Sequence, residues 1–308
     1  MKPDELTAAL KTEALRLGFD MAGVVSAVEA PAFELLKQWV AEGYAGKLSY
    51  FARRLEAYQH PQGVLEGAKS ILMLGLNYRT VEPRLPEQGE AQIARYAWGK
   101  DYHLVIRQKL RLLADYCRTL VPDVRVRGVV DTAPLLEKQF GKLAGLGWIG
   151  KNTLLINPQF GSWFFLAGLL TTVELAAEKA EVIDGCGSCR ACVDACPTGA
   201  LFTPGRLDAR RCLSYLSIES RAPVPTKLKS QWGRRLWGCD ACQEVCPWNR
   251  NTPGSKEQAF QPRPGNNPVK LAEILCLDEN EFQLRFGDTP LKRLGLLGIR
   301  RNAMLADS

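Results

Sequence analysis

Eight of the ten cysteines in this 308-residue chain lie between Cys186 and Cys246. The first four follow the pattern Cys186-x2-Cys189-x2-Cys192-x3-Cys196, with Pro197 directly after. This spacing is typical of bacterial ferredoxins, in which three thiolates surround one 4Fe-4S cluster and the fourth ligates a second cluster. The pattern therefore predicts two iron–sulfur clusters in this segment.

The second cluster needs four thiolates of its own. Cys239, Cys242 and Cys246 precede Pro247 in a similar run, but Leu236 stands where the repeat would place a fourth cysteine, and Cys212 is left to replace it. We therefore predict a crosswise arrangement. Cluster 1 is assigned Cys186, Cys189, Cys192 and Cys246, and cluster 2 is assigned Cys196, Cys212, Cys239 and Cys242.

Paired C-x2-C sequences also build zinc sites, so zinc is the alternative for these cysteines. A zinc knuckle has no use for three cysteines in consecutive three-residue steps. A disulfide framework is disfavoured because the chain is long and shows no secretory segment. The remaining cysteines, Cys117 and Cys276, are expected to be buried core thiols.

Length and composition predict two soluble domains, with 46% hydrophobic and 24% charged residues. The N-terminal twenty residues form an amphipathic helix pattern with neither the apolar run of a signal peptide nor the bias of a transit peptide, so we expect a cytoplasmic protein. The most apolar segment, Trp163 to Leu170, is too short to cross a membrane.

Much of the net charge of +7 lies between Arg206 and Arg250, where nine Lys and Arg face four Asp and Glu. Three tryptophans are interleaved with these cations, which favours a surface that neutralises phosphates and stacks on unpaired bases. The alternative is a solvated basic face with the tryptophans packed over the clusters. The candidate nucleic-acid contacts are Arg221, Lys227, Lys229, Trp232, Arg234, Arg235, Trp248, Asn249 and Arg250.

Alternating strand and helix patterns out to about Thr172 predict an α/β (α+β) N-terminal domain. Ser70 to Asn77 has the length of a buried strand, a long helix is expected from about Tyr102 to Leu120, and Pro134 is expected to start the next helix. The predicted domains are 1–175, a ferredoxin-type two-cluster domain at 176–250, and a linker with a short helical C-terminal region at 251–308.

The segment Gly145 to Gly150, GLGWIG, formally matches a dinucleotide fingerprint but lacks the strand before it and the acidic residue after it. We interpret its glycines as allowing backbone to approach a large planar or phosphate-bearing cofactor, with a plain turn as the alternative. Asp131, at the end of a predicted strand, is the candidate proton donor, with helix capping as its alternative role.

His103 lies in Asp101-Tyr102-His103, the start of the D-x-H-x-x-G motif by which some corrinoid proteins ligate cobalt. Ile106 occupies the position of the glycine. His103 is therefore not assigned as a cobalt ligand, and a hydrogen-bonding or helix-entry role is expected instead.

Taken together, these motifs resemble the epoxyqueuosine reductase family. The similarity lies in RYAWGKDYH (95–103), VVDTAPLLEK (129–138), AGLGWIGKNTLLINPQFGSWFFLAGLL (144–170), CGSCRACVDACPTGAL (186–201) and GCDACQEVCPWNR (238–250). The resemblance implies base-off cobalamin without a protein ligand to cobalt, two 4Fe-4S clusters, and reduction of epoxyqueuosine to queuosine at the wobble position of tRNA. Asp131 stands at the position of the family's proton donor.

The resemblance also implies an external one-electron donor, ferredoxin or flavodoxin, and we expect a monomer. The expected cofactor-binding residues are Arg54, Arg95, Tyr102, His103, Asp131, Lys151, Asn152, Thr153 and Ser162. Two departures from the family pattern are Lys138, where arginine is more usual, and a chain that stops soon after Asn302.

Two other functions use similar parts. A cobalamin-dependent reductive dehalogenase shares both cofactors but is usually exported, and this chain shows no twin-arginine signal. A non-catalytic iron–sulfur module for electron transfer or RNA binding needs only the cysteine region, so the large N-terminal domain argues against it.

Overall fold

A four-stranded sheet forms the centre of the first half of the chain in the computed structural model, which describes residues 1–177 and 184–307. The strands are β1 (Met21–Ser26), β2 (Ser70–Asn77), β3 (Glu90–Ile93), β4 (Val126–Val129), β5 (Trp148–Ile149), β6 (Leu155–Ile156), β7 (Phe164–Thr171), β8 (Arg235–Trp237) and β9 (Val269–Lys270). The α-helices are α1 (Pro3–Arg16), α2 (Phe33–Ala41), α3 (Ser49–Arg53), α4 (Tyr102–Leu120), α5 (Glu137–Leu143), α6 (Ala191–Asp194), α7 (Leu213–Ile218), α8 (Thr226–Lys229), α9 (Ala241–Glu244), α10 (Leu271–Cys276), α11 (Glu279–Phe286) and α12 (Gly295–Ala306).

The alternation of side chains along β2 divides the core into two layers. Leu72 and Leu74 pack on one face of the sheet with residues of α1 and α4. Ile71 and Met73 point to the other face and pack with residues of α2 and α5. Because successive strand residues point to opposite faces, one apolar strand supplies both layers, as its length and composition predicted.

Helix α4 carries residues of the later site, and its bounds are those predicted. The Asp101 carboxylate accepts the backbone N–H of His103 at 2.9 Å, which fixes the start of the helix. Leu110, Leu113 and Cys117 recur at helical spacing on the buried face. The expectation that Cys117 is a core thiol is therefore confirmed.

The strand order is β1-β2-β7-β4, and every neighbouring pair is antiparallel. The sequence pattern predicted an α/β (α+β) domain, and the mixed content of strands and helices is confirmed. Because the connections return each strand beside an antiparallel partner, the domain is of the α+β kind. The helix expected at Pro134 begins instead at Glu137, after a loop of tight turns that includes Asp131.

A second sheet, β8-β3-β9, joins distant parts of the chain. The last three helices pack against it through Ile274, Phe282 and Ile299. Its strands come from all three predicted domains, whose boundaries remain a prediction.

Cys276, expected to be a buried thiol, is exposed at the end of α10, so that expectation was wrong. None of the helices in residues 1–177 and 184–307 has the length and apolarity needed to span a bilayer.

Candidate functional site

The two cysteine runs fold in the same way. Each run contains a four-residue helix, α6 or α9, that carries one cysteine, Cys192 or Cys242. Each helix is followed by a cysteine before proline, Cys196 or Cys246. Because the two short helices pack against each other, each run lies beside the last cysteine of the other.

The first set of thiols combines residues from both runs. Burial raises the pKa of the Cys246 thiol, and the neighbouring thiols of Cys186 and Cys189 act in the same direction. The pKa of Cys192 is raised by burial and then by Cys186 and Cys246. These four cysteines, all free, therefore lie in one neighbourhood.

The second set includes the isolated Cys212. Burial raises the pKa of Cys212 to about 11, and Cys239 and Cys196 add to the effect. Burial also raises the pKa of Cys242, together with the charges of Cys239 and Cys212. Two groups of four free thiols fit the donor requirement of two 4Fe-4S clusters.

The candidate catalytic carboxylate lies in a cleft at the end of β4. Asp131 has a positive φ of 58°, a backbone conformation that residues other than glycine rarely adopt. Its Oδ2 accepts the Tyr102 hydroxyl at 3.1 Å and lies 3.3 Å from His103 Nε2. Asp131 does not cap α5, since the residue preceding that helix is Leu136.

His103 bridges two carboxylates. Its Nδ1 lies 2.8 Å from Asp101 Oδ1, while its Nε2 faces Asp131. Burial lowers the pKa of His103, but hydrogen bonds to Asp101 and Asp131 outweigh it and raise the pKa to about 9. The imidazole is therefore a cation at neutral pH, with both nitrogens engaged.

Asp131 carries the opposite charge. Burial raises its pKa, but the hydrogen bond and charge of His103, with the hydrogen bond from Tyr102 and the charge of Arg293, outweigh burial and leave the pKa below the usual value of a carboxyl. At neutral pH Asp131 is thus an anion beside an imidazolium. Excluding water from this ion pair would raise the pKa of Asp131, because desolvation penalises the charged carboxylate.

Two further residues of the cleft, Glu137 and Lys138, were not assigned roles from the sequence. Glu137 accepts the backbone N–H of Asp131 at 2.7 Å, and burial together with the Asp131 charge raises its pKa to about 8. Lys138 donates to the Thr153 carbonyl at 2.8 Å. In the sequence both lie at the end of the family-like segment 129–138, within seven residues of Asp131, and Lys138 stands out only as a departure from the family pattern.

The cleft around Asp131 is open to solvent. More than half of the Asp131 side chain, 56%, reaches solvent, and Lys138 is exposed as well. Burial nevertheless acts on both groups: it opposes the lowering of the Asp131 pKa, and it lowers the pKa of Lys138. Side chains that are surrounded by protein and still reach water line a concave wall, which is the setting a large cofactor requires.

The cleft lies beside the second set of thiols. Lys138 lies close enough to Cys242 for the charge of that thiolate to act on the pKa of the lysine. The Asn152 amide donates to the Cys242 carbonyl at 3.4 Å. This set is therefore the one next to Asp131, a point that cysteine spacing left open.

The structure brings only some of the expected cofactor residues together. Arg54 donates to the Thr132 carbonyl at 3.2 Å and so lies at the cleft with Tyr102, His103 and Asp131. Thr153, which has a φ of 66°, also lies at the cleft, because its carbonyl accepts a hydrogen bond from Lys138. Lys151 lies elsewhere, donating to the carbonyl of Cys189 at 2.8 Å.

Arg95 and Ser162 belong to the protein interior, which argues against their expected cofactor contacts. The Arg95 side chain is 4% exposed, pairs with Glu82 and Glu244 and stacks over Trp163. Ser162 is buried against Asn249 and Gln243. Asn152 is also buried, and its side-chain oxygen accepts the Leu154 N–H.

The glycines of the GLGWIG segment shape a hairpin. Strands β5 and β6 pair antiparallel, and a Cβ at Gly147 would lie 2.0 Å from the Ile156 carbonyl oxygen. The φ of Gly147 is 150°. These constraints explain Gly147 without a ligand and favour the plain turn at this position.

The predicted RNA surface is smaller than expected. Trp232 and Trp237 are fully buried and Asn249 is buried, so none of them is available to stack on or contact a base. Arg235 donates to the Trp232 carbonyl at 2.7 Å, and its charge acts on the pKa of Cys239, so it belongs to the cluster region. The predicted contacts that remain exposed are Arg221, Lys227, Lys229, Arg234, Trp248 and Arg250.

Arg293, from the C-terminal part of the chain, reaches the cleft. Its guanidinium pairs with Glu219 at 2.9 Å and feels the charges of Asp131 and Tyr50. Arg221 donates to the Arg293 carbonyl at 2.7 Å, which connects the cleft to the basic segment. No local motif marks Arg293, so sequence reasoning missed it.

Comparison with known proteins gives the same assignment along nearly the whole chain. A model described as 4Fe-4S double cluster binding domain matches residues 185–249, and one described as epoxyqueuosine reductase QueG, DUF1730, matches residues 59–132. Epoxyqueuosine reductase of Pseudomonas aeruginosa is 40% identical over 95% of this chain and 82% of its own. That of Cyclobacterium marinum is 38% identical over 96% of this chain and 95% of its own. The chain belongs to the epoxyqueuosine reductase family. It is therefore an oxidoreductase with a double 4Fe-4S cluster domain, and the zinc and non-catalytic alternatives are wrong.

Solved structures agree with this family. An epoxyqueuosine reductase with an epoxyqueuosine-modified tRNA-Tyr stem loop is 34% identical, with a TM-score of 0.91 over 98% of this chain and 80% of its own. The Bacillus subtilis epoxyqueuosine reductase, solved with its catalytic aspartate loop swung out of the active site, is 32% identical, with a TM-score of 0.89 over 98% of this chain and 81% of its own. The reductive dehalogenase NpRdhA is 16% identical with a TM-score of 0.50, a likeness of fold alone.

Proposed function

We propose that this epoxyqueuosine reductase removes the epoxide oxygen of epoxyqueuosine in tRNA, giving queuosine, at the cleft around Asp131. One observation carries the proposal. A solvent-open carboxylate, hydrogen-bonded to Tyr102 and facing the His103 imidazolium, lies beside a set of four thiols through Lys138 and Asn152. Electrons and protons are thereby delivered to one place.

Base-off cobalamin is the cofactor proposed for the cleft, held by Arg54, Tyr102, His103 and Thr153. When bound, cobalamin supplies a strongly nucleophilic reduced cobalt. His103 is not a ligand to the metal, because Asp101 and Asp131 face its two nitrogens. The part of His103 is to orient Asp131 and to hold a proton beside it.

Removal of the epoxide oxygen as water consumes two electrons and two protons. We assign the proton delivered to the oxygen to the Asp131 carboxyl, loaded from the His103 imidazolium when substrate excludes water from the pair. Glu137, with its pKa raised to about 8, holds the Asp131 backbone and keeps a second proton nearby.

Electrons enter at the first set of thiols and leave from the second. Cys189 of the first set is exposed, whereas Cys242 of the second adjoins the cleft. The proposed ligands are Cys186, Cys189, Cys192 and Cys246 for the outer cluster, and Cys196, Cys212, Cys239 and Cys242 for the inner cluster. A ferredoxin or flavodoxin is the proposed donor.

The proposed tRNA contacts are the exposed members of the basic segment, with Arg221 closest to the cleft through Arg293. Cationic side chains of this kind neutralise phosphates, and the exposed ring of Trp248 offers a stacking surface. We expect the enzyme to act in the cytoplasm as a monomer.

The test is anaerobic turnover of tRNA carrying epoxyqueuosine, with cobalamin and a chemical reductant, analysed by mass spectrometry of the nucleosides. Queuosine should form, and omission of cobalamin should abolish it. Cluster-loaded protein that forms no queuosine under these conditions would overturn the proposal.

A further inference from the structure

The indole N–H of Trp148 is buried without a hydrogen-bond partner in the described part of the chain. The residue lies on β5 and is 4% exposed. Other tryptophans of the protein satisfy this group. The indoles that donate to a protein oxygen are Trp39 to Leu207, Trp98 to Ile93, Trp232 to Arg235, Trp237 to Tyr96, and Trp248 to Gly185.

Packing holds the Trp148 ring in place. A Cβ at Gly185 would lie 2.4 Å from the ring, and the Trp248 ring meets it edge-on with centroids 4.9 Å apart. The ring therefore has no room to turn its N–H toward another acceptor. Burying a hydrogen-bond donor without an acceptor costs free energy, so we expect an acceptor next to this N–H.

The hydrophobic cluster around Trp148 contains candidate acceptors. Trp148, Ile156 and Cys246 form a small buried cluster, and Cys186 packs against it. Among these neighbouring side chains, only the two cysteines offer an acceptor atom, their sulfur. Both belong to the proposed ligand set of the outer cluster.

We propose that Trp148 donates its indole N–H to a sulfur of the outer 4Fe-4S cluster, either a cysteinyl or an inorganic sulfur, and thereby sets its reduction potential. This inference rests on the proposed ligand assignment. A hydrogen bond to sulfur favours the reduced cluster, which carries one more negative charge, so it raises the potential. Trp148 is a positioning residue for electron entry and does not touch substrate.

The inner cluster has a different neighbour. The Arg235 guanidinium, which donates to the Trp232 carbonyl at 2.7 Å, lies close enough to Cys239 for its positive charge to oppose the rise that burial causes in the pKa of that thiol. A cation stabilises the reduced state more than a neutral indole does. The two neighbours thus favour electron flow from the outer cluster to the inner one.

The experiment compares Trp148→Phe with the matched control Trp248→Phe, whose indole donates to the Gly185 carbonyl. Phenylalanine keeps an aromatic ring and removes the N–H. Redox titration of the anaerobic protein, followed by electron paramagnetic resonance, gives the midpoint potential of each cluster. One midpoint should shift to lower potential in Trp148→Phe, while the other stays unchanged and Trp248→Phe shifts neither.

A second measurement covers the case in which Trp148→Phe fails to keep its cluster. In protein labelled with ¹⁵N-tryptophan and carrying Trp248→Phe, the reduced outer cluster should show hyperfine coupling to one indole nitrogen and its exchangeable proton. Unchanged midpoints in Trp148→Phe, or no indole coupling in the labelled protein, overturns the inference. Wild-type protein that binds no iron and sulfide would instead overturn the proposed function.

Discussion

The cysteine region and the Asp131 cleft handle electrons and protons respectively, and they are built in different ways. The eight proposed cluster ligands come from one segment of the chain, and two of them, Cys192 and Cys242, lie on four-residue helices. The cleft combines Asp101 and His103 from the start of α4, Asp131 from a loop, and Arg293 from near the C-terminus. Electron carriers are thus specified by local spacing, whereas proton carriers depend on tertiary structure.

The largest effect is expected from removing an inner ligand. Cys242→Ser should abolish queuosine formation and remove about half of the iron, because the cluster next to the cleft is lost. Cys276→Ser is the matched control, since that thiol is exposed and far from both runs in sequence. Iron analysis and single-turnover assays measure both variants. Full turnover with Cys242→Ser would mean that electrons reach the cleft by another route.

Asp131→Asn should lower the rate of queuosine formation by about 10²- to 10⁴-fold, the usual contribution of a positioned acid. Cluster content should not change, because Asp131 contacts Tyr102 and His103 rather than cysteine. The control is Asp115→Asn, an exposed residue paired with Arg118 on α4. Wild-type rates for Asp131→Asn would assign the proton to another group of the cleft.

His103→Gln should lower the rate by about 10- to 100-fold, the equivalent of the roughly 1.5–3 kcal/mol of a hydrogen bond to a charged group. The pKa of His103 is about 9, so the wild-type rate should fall as the pH rises through 9. That fall should be absent in His103→Gln. His60→Gln, which changes the other histidine, should keep the wild-type profile.

The raised pKa of His103 also affects the free energy of unfolding. A folded-state pKa raised from 6.5 to about 9 means that His103 stabilises the protein fully below pH 6.5, and that this contribution is lost as the pH rises through 9. Chemical denaturation across this range should therefore show a steeper loss for wild type than for His103→Gln. Parallel curves would contradict the ion pair with Asp131.

The smallest effect concerns the basic surface. Lys227 and Lys229 are exposed on α8 and are free to meet phosphates. Replacing both by Glu should weaken tRNA binding by roughly tenfold near 0.1 M salt and reduce the slope of log affinity against log salt by about two. Arg111→Glu, on the exposed side of α4, is the control. Unaltered affinity for the double variant would move the RNA surface elsewhere.

The sequence predicts well where local chemistry decides. The bounds of β2 and α4, the neighbourhoods of the two thiol sets and the position of Asp131 beyond a strand all follow from spacing or periodicity. It predicts poorly where burial decides. Trp232 and Arg235 were predicted as RNA contacts, but Trp232 lies in the core and Arg235 lies beside Cys239. A segment in which basic and aromatic residues are interleaved does not reveal which of its side chains are buried.

The cleft shows the same limit. Glu137 adjoins Asp131 in sequence, yet its raised pKa depends on burial that no pattern announces. Arg293 lies more than 150 residues from Asp131 and reaches the cleft only through the packing of the C-terminal region. Longer-range arrangements of this kind need the folded structure.

The most direct test of the account is the cluster content of three single variants, Cys192→Ser, Cys246→Ser and Cys239→Ser, measured by iron and sulfide analysis with Mössbauer and electron paramagnetic resonance spectra. Wild type should hold about eight iron and eight sulfide per chain. Crosswise ligation predicts that Cys246→Ser perturbs the same cluster as Cys192→Ser and leaves intact the one that Cys239→Ser perturbs. If Cys246→Ser and Cys239→Ser perturb the same cluster, the arrangement described here is contradicted.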